Sequence, residues 1–283
     1  MRLLVVGSRG QLGSDLVRAA IARGVETLPM GREDADITVA PDVGRLVAGL
    51  APDVIVNTSA WTDLPGCEQD PARAFAVNAI GAHNIALAAT AAGARLIHVS
   101  TDYVFDGMKG SAYTEGDARR ALNVYGASKL AGEDLVLQAC PAAAIVRVSG
   151  LFGIAGASGK GGNFVETMLR LAREGRSVSV VADQVTSPTF TQDIAEALLD
   201  LASDEPSGEY HLAAAGSCSW FVFARAIFEE AGLSADLHAT TAAEYGGPVV
   251  RPACSALAST RVAALPVWRD GLQRYLRAKG HIA

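Results

Sequence analysis

The start of this chain constrains its fold more than any other feature. Arg2–Val6 is a short apolar run, Gly7-Ser8-Arg9-Gly10-Gln11-Leu12-Gly13 follows at once, and helical spacing of apolar residues continues from Gln11 to Arg23. An unbroken apolar run fits a parallel strand that is covered on both faces. Glycines placed directly after it permit a tight turn and let the backbone approach a pyrophosphate, which is drawn to the positive N-terminus of the following helix. The spacing is G-x-x-G-x-x-G, a departure from the generic G-x-G-x-x-G of dinucleotide sites. The strand before it and the helix after it separate this loop from an ordinary glycine-rich turn.

The rest of the first half alternates in the same way. Strands are predicted at 25–29, 53–57, 95–101 and 144–148, and helices at 41–50, 71–92 and from Tyr125 to about Gln138. Such β-α-β alternation predicts an α/β fold: a Rossmann-type, doubly wound parallel sheet whose ligands sit beyond the carboxyl ends of the strands. After Gly150 the pattern loosens into a Gly/Ser/Ala-rich loop at 153–162. Helices are then expected at 163–174, 191–203, 220–231 and 267–277, with strands at 177–181 and 209–213. This divides the chain into an NAD(P)-binding domain of residues 1–150 plus about 189–215, and a smaller α/β substrate-binding lobe of about 151–188 and 216–283.

A chain of 283 residues, half of them hydrophobic, has enough core for one large domain or two unequal ones. No apolar stretch reads as a membrane span, and the N-terminus reads as a strand start, not a signal segment. The net charge of −6, without a basic patch, argues against nucleic acid as the principal partner. Cys67, Cys140, Cys218 and Cys254 show no metal or disulfide spacing, which fits reduced thiols and a cytoplasmic location. The five histidines are scattered singly, so no metal site is assigned, and His98 within an apolar strand reads as a core side chain.

Chemistry gathers around Tyr125 and Lys129, which share a helix face at i and i+4. A fixed ammonium beside a phenol favours the phenolate and lowers the phenol's pKa, and a phenol so tuned exchanges a proton with a carbonyl or alcohol. The predicted strand 95–101 delivers Ser100 and Thr101 to the same edge. A hydroxyl there can hold a substrate oxygen.

Gly7, Gly10, Gly13, Thr101, Tyr125 and Lys129 together resemble the extended short-chain dehydrogenase/reductase superfamily and, within it, the dTDP-4-dehydrorhamnose reductase family. Gly10-Gln11-Leu12-Gly13, Val77-Asn78-Ala79, Ser100 to Gly107, Asn123 to Gly132, Asn163-Phe164-Val165, Asp183-Gln184 and Ser187-Pro188-Thr189 carry the resemblance along nearly the whole chain. It implies reduction of the C4 ketone of a nucleotide-linked 4-keto-6-deoxysugar. Tyr125 would be the acid, Lys129 would lower its pKa and hold the nicotinamide ribose, and Thr101 would orient the ketone. It further implies cofactor contacts at Gly7, Gly10, Gln11 and Leu12, at Asp36 and Ile37, at Thr58, Ser59, Ala60 and Thr62, and at Asn78 and Ser100. Arg9 and Arg32 suit a 2′-phosphate, which favours NADPH, with NADH as the alternative. Asp102, Tyr103, Asn163 and Arg251 are the expected substrate contacts.

Thr101-Asp102-Tyr103 lacks the glutamate of the sugar-nucleotide dehydratases, which leaves direct ketone reduction as the simplest outcome. The strings Trp61 to Glu68 and Arg147 to Gly150 depart from the family pattern, so the hexose and its nucleotide stay open. Some members bind Mg²⁺ at a homodimer contact; Asp15 matches one carboxylate of that type, without evident partners. Two other readings share the motifs: a ketoreductase for another deoxysugar, and a non-catalytic subunit resembling the regulatory β subunit of methionine adenosyltransferase.

Overall fold

The computed structural model describes residues 1–156 and 162–283, so residues 157–161 of the expected loop lie outside the described residues. The central sheet consists of β1 (Arg2–Val6), β2 (Glu26–Met30), β3 (Val54–Asn57), β4 (Arg95–Thr101), β5 (Ala144–Val148) and β6 (Gly208–Leu212). Its spatial order is β6-β5-β4-β3-β1-β2, and every pairing is parallel. The longer helices are α1 (Gln11–Ala22), α2 (Ala40–Leu50), α3 (Ala82–Ala92), α4 (Val124–Ala139), α5 (Phe164–Arg173), α6 (Thr191–Ser203), α7 (Trp220–Glu230) and α8 (Trp268–Ala278).

Parallel strands this apolar need cover on both faces, and the helices supply it. Leu3, Val5, Val56, Ile97 and Val146 form one core with Leu16 of α1 and Ile194 and Leu198 of α6. Leu4, Ile55, Leu96 and Ile145 form the opposite core with Val43 of α2, Ile85 of α3 and Val136 of α4. The chain steps outward from β1 to β2, then returns to β3 and continues the other way. The carboxyl ends of β1 and β3 therefore flank a topological switch point, where a ligand cleft opens.

Phe152, Val165, Leu169, Phe190, Phe223, Ile227, Leu272 and Tyr275 form a separate core drawn from α5, α7 and α8 and the segments between them. A two-stranded parallel pair, Val178–Val181 with Leu237–Thr240, lies alongside; the second of these strands was not expected from the sequence.

The alanine-rich run at 71–92 is not one regular helix. Pro71–Phe75 is α-helical, Ala76–Gly81 forms a π-helical turn, and α3 follows. Asn78 sits in the wide turn: its Oδ1 accepts from Trp61 N at 2.7 Å, and its Nδ2 donates to Trp61 O at 3.1 Å and to Ser128 Oγ at 3.0 Å. Contrary to expectation, this run of 22 residues, whose most apolar 18-residue window has a mean hydropathy of 1.3, reaches the length and composition of a membrane span. Its most apolar window is 56% buried inside the protein, because its alanines face the sheet and α4.

Candidate active site

A cleft of about 1320 Å³ opens at the carboxyl ends of the strands. The glycine loop forms one end of it. Gly7, at φ +81°, and Ser8 donate to Met30 O at 2.9 and 3.1 Å, and Gly10 N returns to Gly7 O at 2.9 Å. A Cβ on Gly13 would lie 2.2 Å from Gly7 O, so only glycine lets α1 start this close to the loop. Gly10 caps α1 without a side chain, and no acidic residue occupies the first turn, so the helix N-terminus keeps its positive end for an anion. Gln11, Leu12, Thr58, Ser59, Ala60 and Thr62 continue the wall. Thr58 Oγ1 donates to Val6 O at 2.8 Å and pins β3 to β1.

Arg9, Arg32, Asp36 and Ile37 line the end beyond β2. Arg9 is ion-paired with Glu33, both largely exposed. Asp36 accepts from the N–H and hydroxyl of Thr38 at 3.0 and 2.8 Å, which, with Arg32 nearby, holds its carboxyl below the usual range.

The chemical end is formed by β4 and α4. Asn123 caps α4 by accepting from Gly126 N at 2.8 Å, and its Nδ2 donates to Val250 O at 2.9 Å. Gly126 has no room for a side chain: a Cβ there would lie 2.2 Å from Tyr103 O. α4 is thereby laid against Thr101, Asp102 and Tyr103, and Tyr125 and Thr101 line the cleft together. Tyr103 stands edge-on to Tyr125, with ring centroids 5.8 Å apart.

Burial raises the Tyr125 phenol well above its ordinary pKa of 10, against the opposing Thr101 hydrogen bond. The depression expected from Lys129 is not found in the ligand-free protein. Lys129 shares the helix face and lines the cleft, yet its Nζ donates to Val99 O at 2.8 Å and lies 3.2 Å from His98 Nε2. Burial pulls this ammonium down to about 8, with Glu133 opposing.

On the far side, Asp102 is buried and pushed up to about 6 by burial. Ser255 Oγ donates to its Oδ2 at 2.5 Å, Ser149 Oγ donates to the same oxygen at 2.9 Å, and Thr101 Oγ1 donates to Oδ1 at 3.1 Å. Arg251 and Tyr103 face the same cavity, and the Arg251 charge opposes the rise that burial gives the Tyr103 phenol. Ser100 is also in the wall.

Two expected contacts lie outside the lining. Asn78 braces Trp61 and Ser128, as described above. Asn163 caps α5 by accepting from Glu166 N at 3.1 Å, while its Nδ2 donates to Gly153 O at 3.0 Å and Tyr275 OH at 3.1 Å. Every polar atom of that amide is engaged inside the protein. Asp15 is buried, accepts from Thr191 and lies 3.0 Å from Arg18 Nη2; among the described residues no cluster of three metal-ligating side chains occurs. None of the four cysteines is in a disulfide, and Cys67 Sγ donates to Trp61 O at 3.6 Å.

Trp61 holds Arg73 over its ring at 4.4 Å, and Gln184 joins the wall from a distant segment. Trp220, Thr186 and Ser255, also in the wall, carry no sequence signal of their own. Ser149 and Ser255 become legible only once β5 and the 248–258 loop are seen to meet at Asp102.

Residues 1–280 match the family described as the RmlD substrate binding domain. A dTDP-4-dehydrorhamnose reductase of Mycobacterium tuberculosis (H37Rv) is 41% identical over 98% of this chain and 93% of that protein. The spore coat polysaccharide biosynthesis protein SpsK of Bacillus subtilis is 38% identical, with 98% of each chain covered. The crystal structure of dTDP-4-dehydrorhamnose reductase from Bacillus anthracis, in complex with NADP, superposes with a TM-score of 0.93 at 35% identity, covering 98% of this chain and 99% of that one. Identity at this level along the full match places the chain in the dTDP-4-dehydrorhamnose reductase family of extended short-chain dehydrogenase/reductases, a family of oxidoreductases.

Proposed function

We propose that the protein reduces the C4 ketone of a nucleotide-linked 4-keto-6-deoxysugar with NADPH, and that the substrate is dTDP-4-dehydrorhamnose, converted to dTDP-L-rhamnose. The observation that carries this reading is that Thr101, Tyr125 and Lys129 line one cleft, continuous with a glycine loop at a helix N-terminus that no side chain caps. The B. anthracis relative was solved with NADP, and the guanidinium groups of Arg9 and Arg32, in the cleft lining, suit a 2′-phosphate.

Reduced nicotinamide, when bound, supplies the hydride. The loop amides and the α1 N-terminus hold the pyrophosphate, and Ser59, Ala60 and Thr62 support the ring from β3. Thr101 turns its hydroxyl proton from Asp102 Oδ1 to the ketone oxygen and fixes its position. Tyr125, kept protonated by burial, gives its proton to that oxygen as it becomes an alkoxide. Lys129 then holds the ribose hydroxyls and stabilises the phenolate left behind.

Arg251, from the smaller lobe of about 151–188 and 216–283, and Tyr103 and Asp102, from the main-sheet portion, grip the sugar nucleotide between them. Trp61 and Trp220 present indole surface to the same cavity. The activity belongs in the cytoplasm, where nucleotide sugars and NADPH are available.

Purified protein mixed with NADPH and dTDP-4-dehydrorhamnose tests the reading. The expected result is loss of reduced-nicotinamide absorbance matched by dTDP-L-rhamnose. No NADPH consumption with this sugar or its C3 and C5 epimers would refute it.

A further inference from the structure

Two residues of the cleft wall, Ser59 and Lys129, are joined behind it by a chain of buried polar side chains that the steps above do not use. Ser59 donates from its backbone N–H at 3.0 Å and from Oγ at 2.5 Å to Asn57 Oδ1. This fixes the amide, so Asn57 Nδ2 is the donor toward His98 Nδ1 at 3.0 Å. The parallel register places Asn57 and His98 side by side on β3 and β4. A neutral imidazole whose Nδ1 accepts carries its proton on Nε2.

That Nε2 lies 3.2 Å from Lys129 Nζ, which itself donates to Val99 O. An Nε2–H needs a lone pair, and an amine has one while an ammonium has none. The chain is thus complete when Lys129 is neutral; an ammonium would meet the ring donor to donor. Asn57, His98 and Lys129 are at most 1% exposed, so no solvent relieves that conflict. Glu133 on α4 is the charged group acting on Lys129, and it is itself paired with Arg147 of β5 at 2.8 Å and with Arg119 at 3.0 Å. Lys129 is the charged group acting on His98, whose imidazolium is also disfavoured by full burial.

We propose that His98, oriented by Asn57, is a positioning residue for Lys129: its Nε2–H docks the neutral amine against β4 in the ligand-free protein, and the amine takes a proton from solvent as it leaves for the dinucleotide ribose. The second half of this inference rests on the proposed function, through the role of Lys129; the first half does not. Dinucleotide binding then carries proton uptake, and affinity for NADPH falls as the pH rises past the point where the docked amine loses its proton.

Nitrogen-15 spectra of histidine-labelled, ligand-free protein test the dock directly, with His98→Asn identifying the signal. The expected result is the Nε2–H tautomer between about pH 6 and 9. An Nδ1–H tautomer or an imidazolium would overturn the proposal. For the kinetic half, His98→Asn keeps a partner for Asn57 but cannot reach Lys129, and kcat/KM for NADPH should fall about tenfold, with its alkaline limb displaced. His98→Gln, long enough to reach Nζ, should restore most of that loss. An unchanged pH profile in His98→Asn, with only a lower Tm, would reduce His98 to a core residue. If the wild type consumes no NADPH, the proposed function fails while the tautomer still decides the dock.

Discussion

At Tyr125, burial and the Thr101 hydrogen bond pull in opposite directions, and burial wins. The phenol therefore waits as a loaded acid, and its neighbours matter after the proton has left. The i, i+4 spacing of Tyr125 and Lys129 was legible in the sequence, because helical period alone sets a shared face. Where a long, flexible lysine ends was not, because that depends on His98 and Val99 O from another element. Lys129 also makes stability depend on pH. Its amine titrates near 8 in the folded protein against an ordinary 10.5, so the unfolded chain holds more protons between those values, and wild-type stability rises with pH in that window relative to Lys129→Met. Urea denaturation at both ends should show the gap between the two proteins changing by on the order of 3 kcal/mol; a constant gap would mean that the ammonium is not excluded. At the cofactor's far end, Arg32→Ala should raise KM for NADPH roughly tenfold and leave that for NADH nearly unchanged. Equal rises would remove the 2′-phosphate from this side chain.

At the scale of elements, the strand–loop–helix at residues 2–22 and the α4 segment were readable because each is specified locally, by an apolar run, by glycines and by the Asn123 cap. The predicted strands at 95–101 and 144–148 and the helix at 191–203 coincide with β4, β5 and α6. The π turn at Ala76–Gly81 was not readable, since alanine-rich sequence favours a continuous helix and the turn is tied to Trp61 through Asn78. Strand Leu237–Thr240 was hidden for the same reason: its partner at Val178–Val181 is remote in sequence. Gly126 is where an element's position controls chemistry. In Gly126→Ala, the added methyl meets Tyr103 O and drives α4 away from Thr101. A loss of about 1–3 kcal/mol in stability and a steep fall in kcat should appear together. Wild-type kcat in that variant would show that the Tyr125–Thr101 contact is not needed.

For the whole molecule, function depends on how two cores meet. The sheet and its helices carry the glycine loop and the acid, while the third core carries α5, α7 and α8. Gln11 spans them, donating to Leu151 O at 3.2 Å and accepting from Gly153 N at 2.9 Å. The sequence foretold the α/β class and the end of the sheet where the cleft lies, since both follow from alternation and switch-point topology. It did not foretell that Ser255 and Trp220 would border the cavity. Those outcomes depend on long-range packing. The most direct measurement is single-turnover reduction of dTDP-4-dehydrorhamnose by wild type and Tyr125→Phe, with NADPH affinity determined in parallel. The expected result is a rate at least about a hundredfold lower in the variant, with NADPH affinity changed by less than about twofold. A variant that reduces the ketone at the wild-type rate would contradict the assignment of Tyr125 as the proton donor.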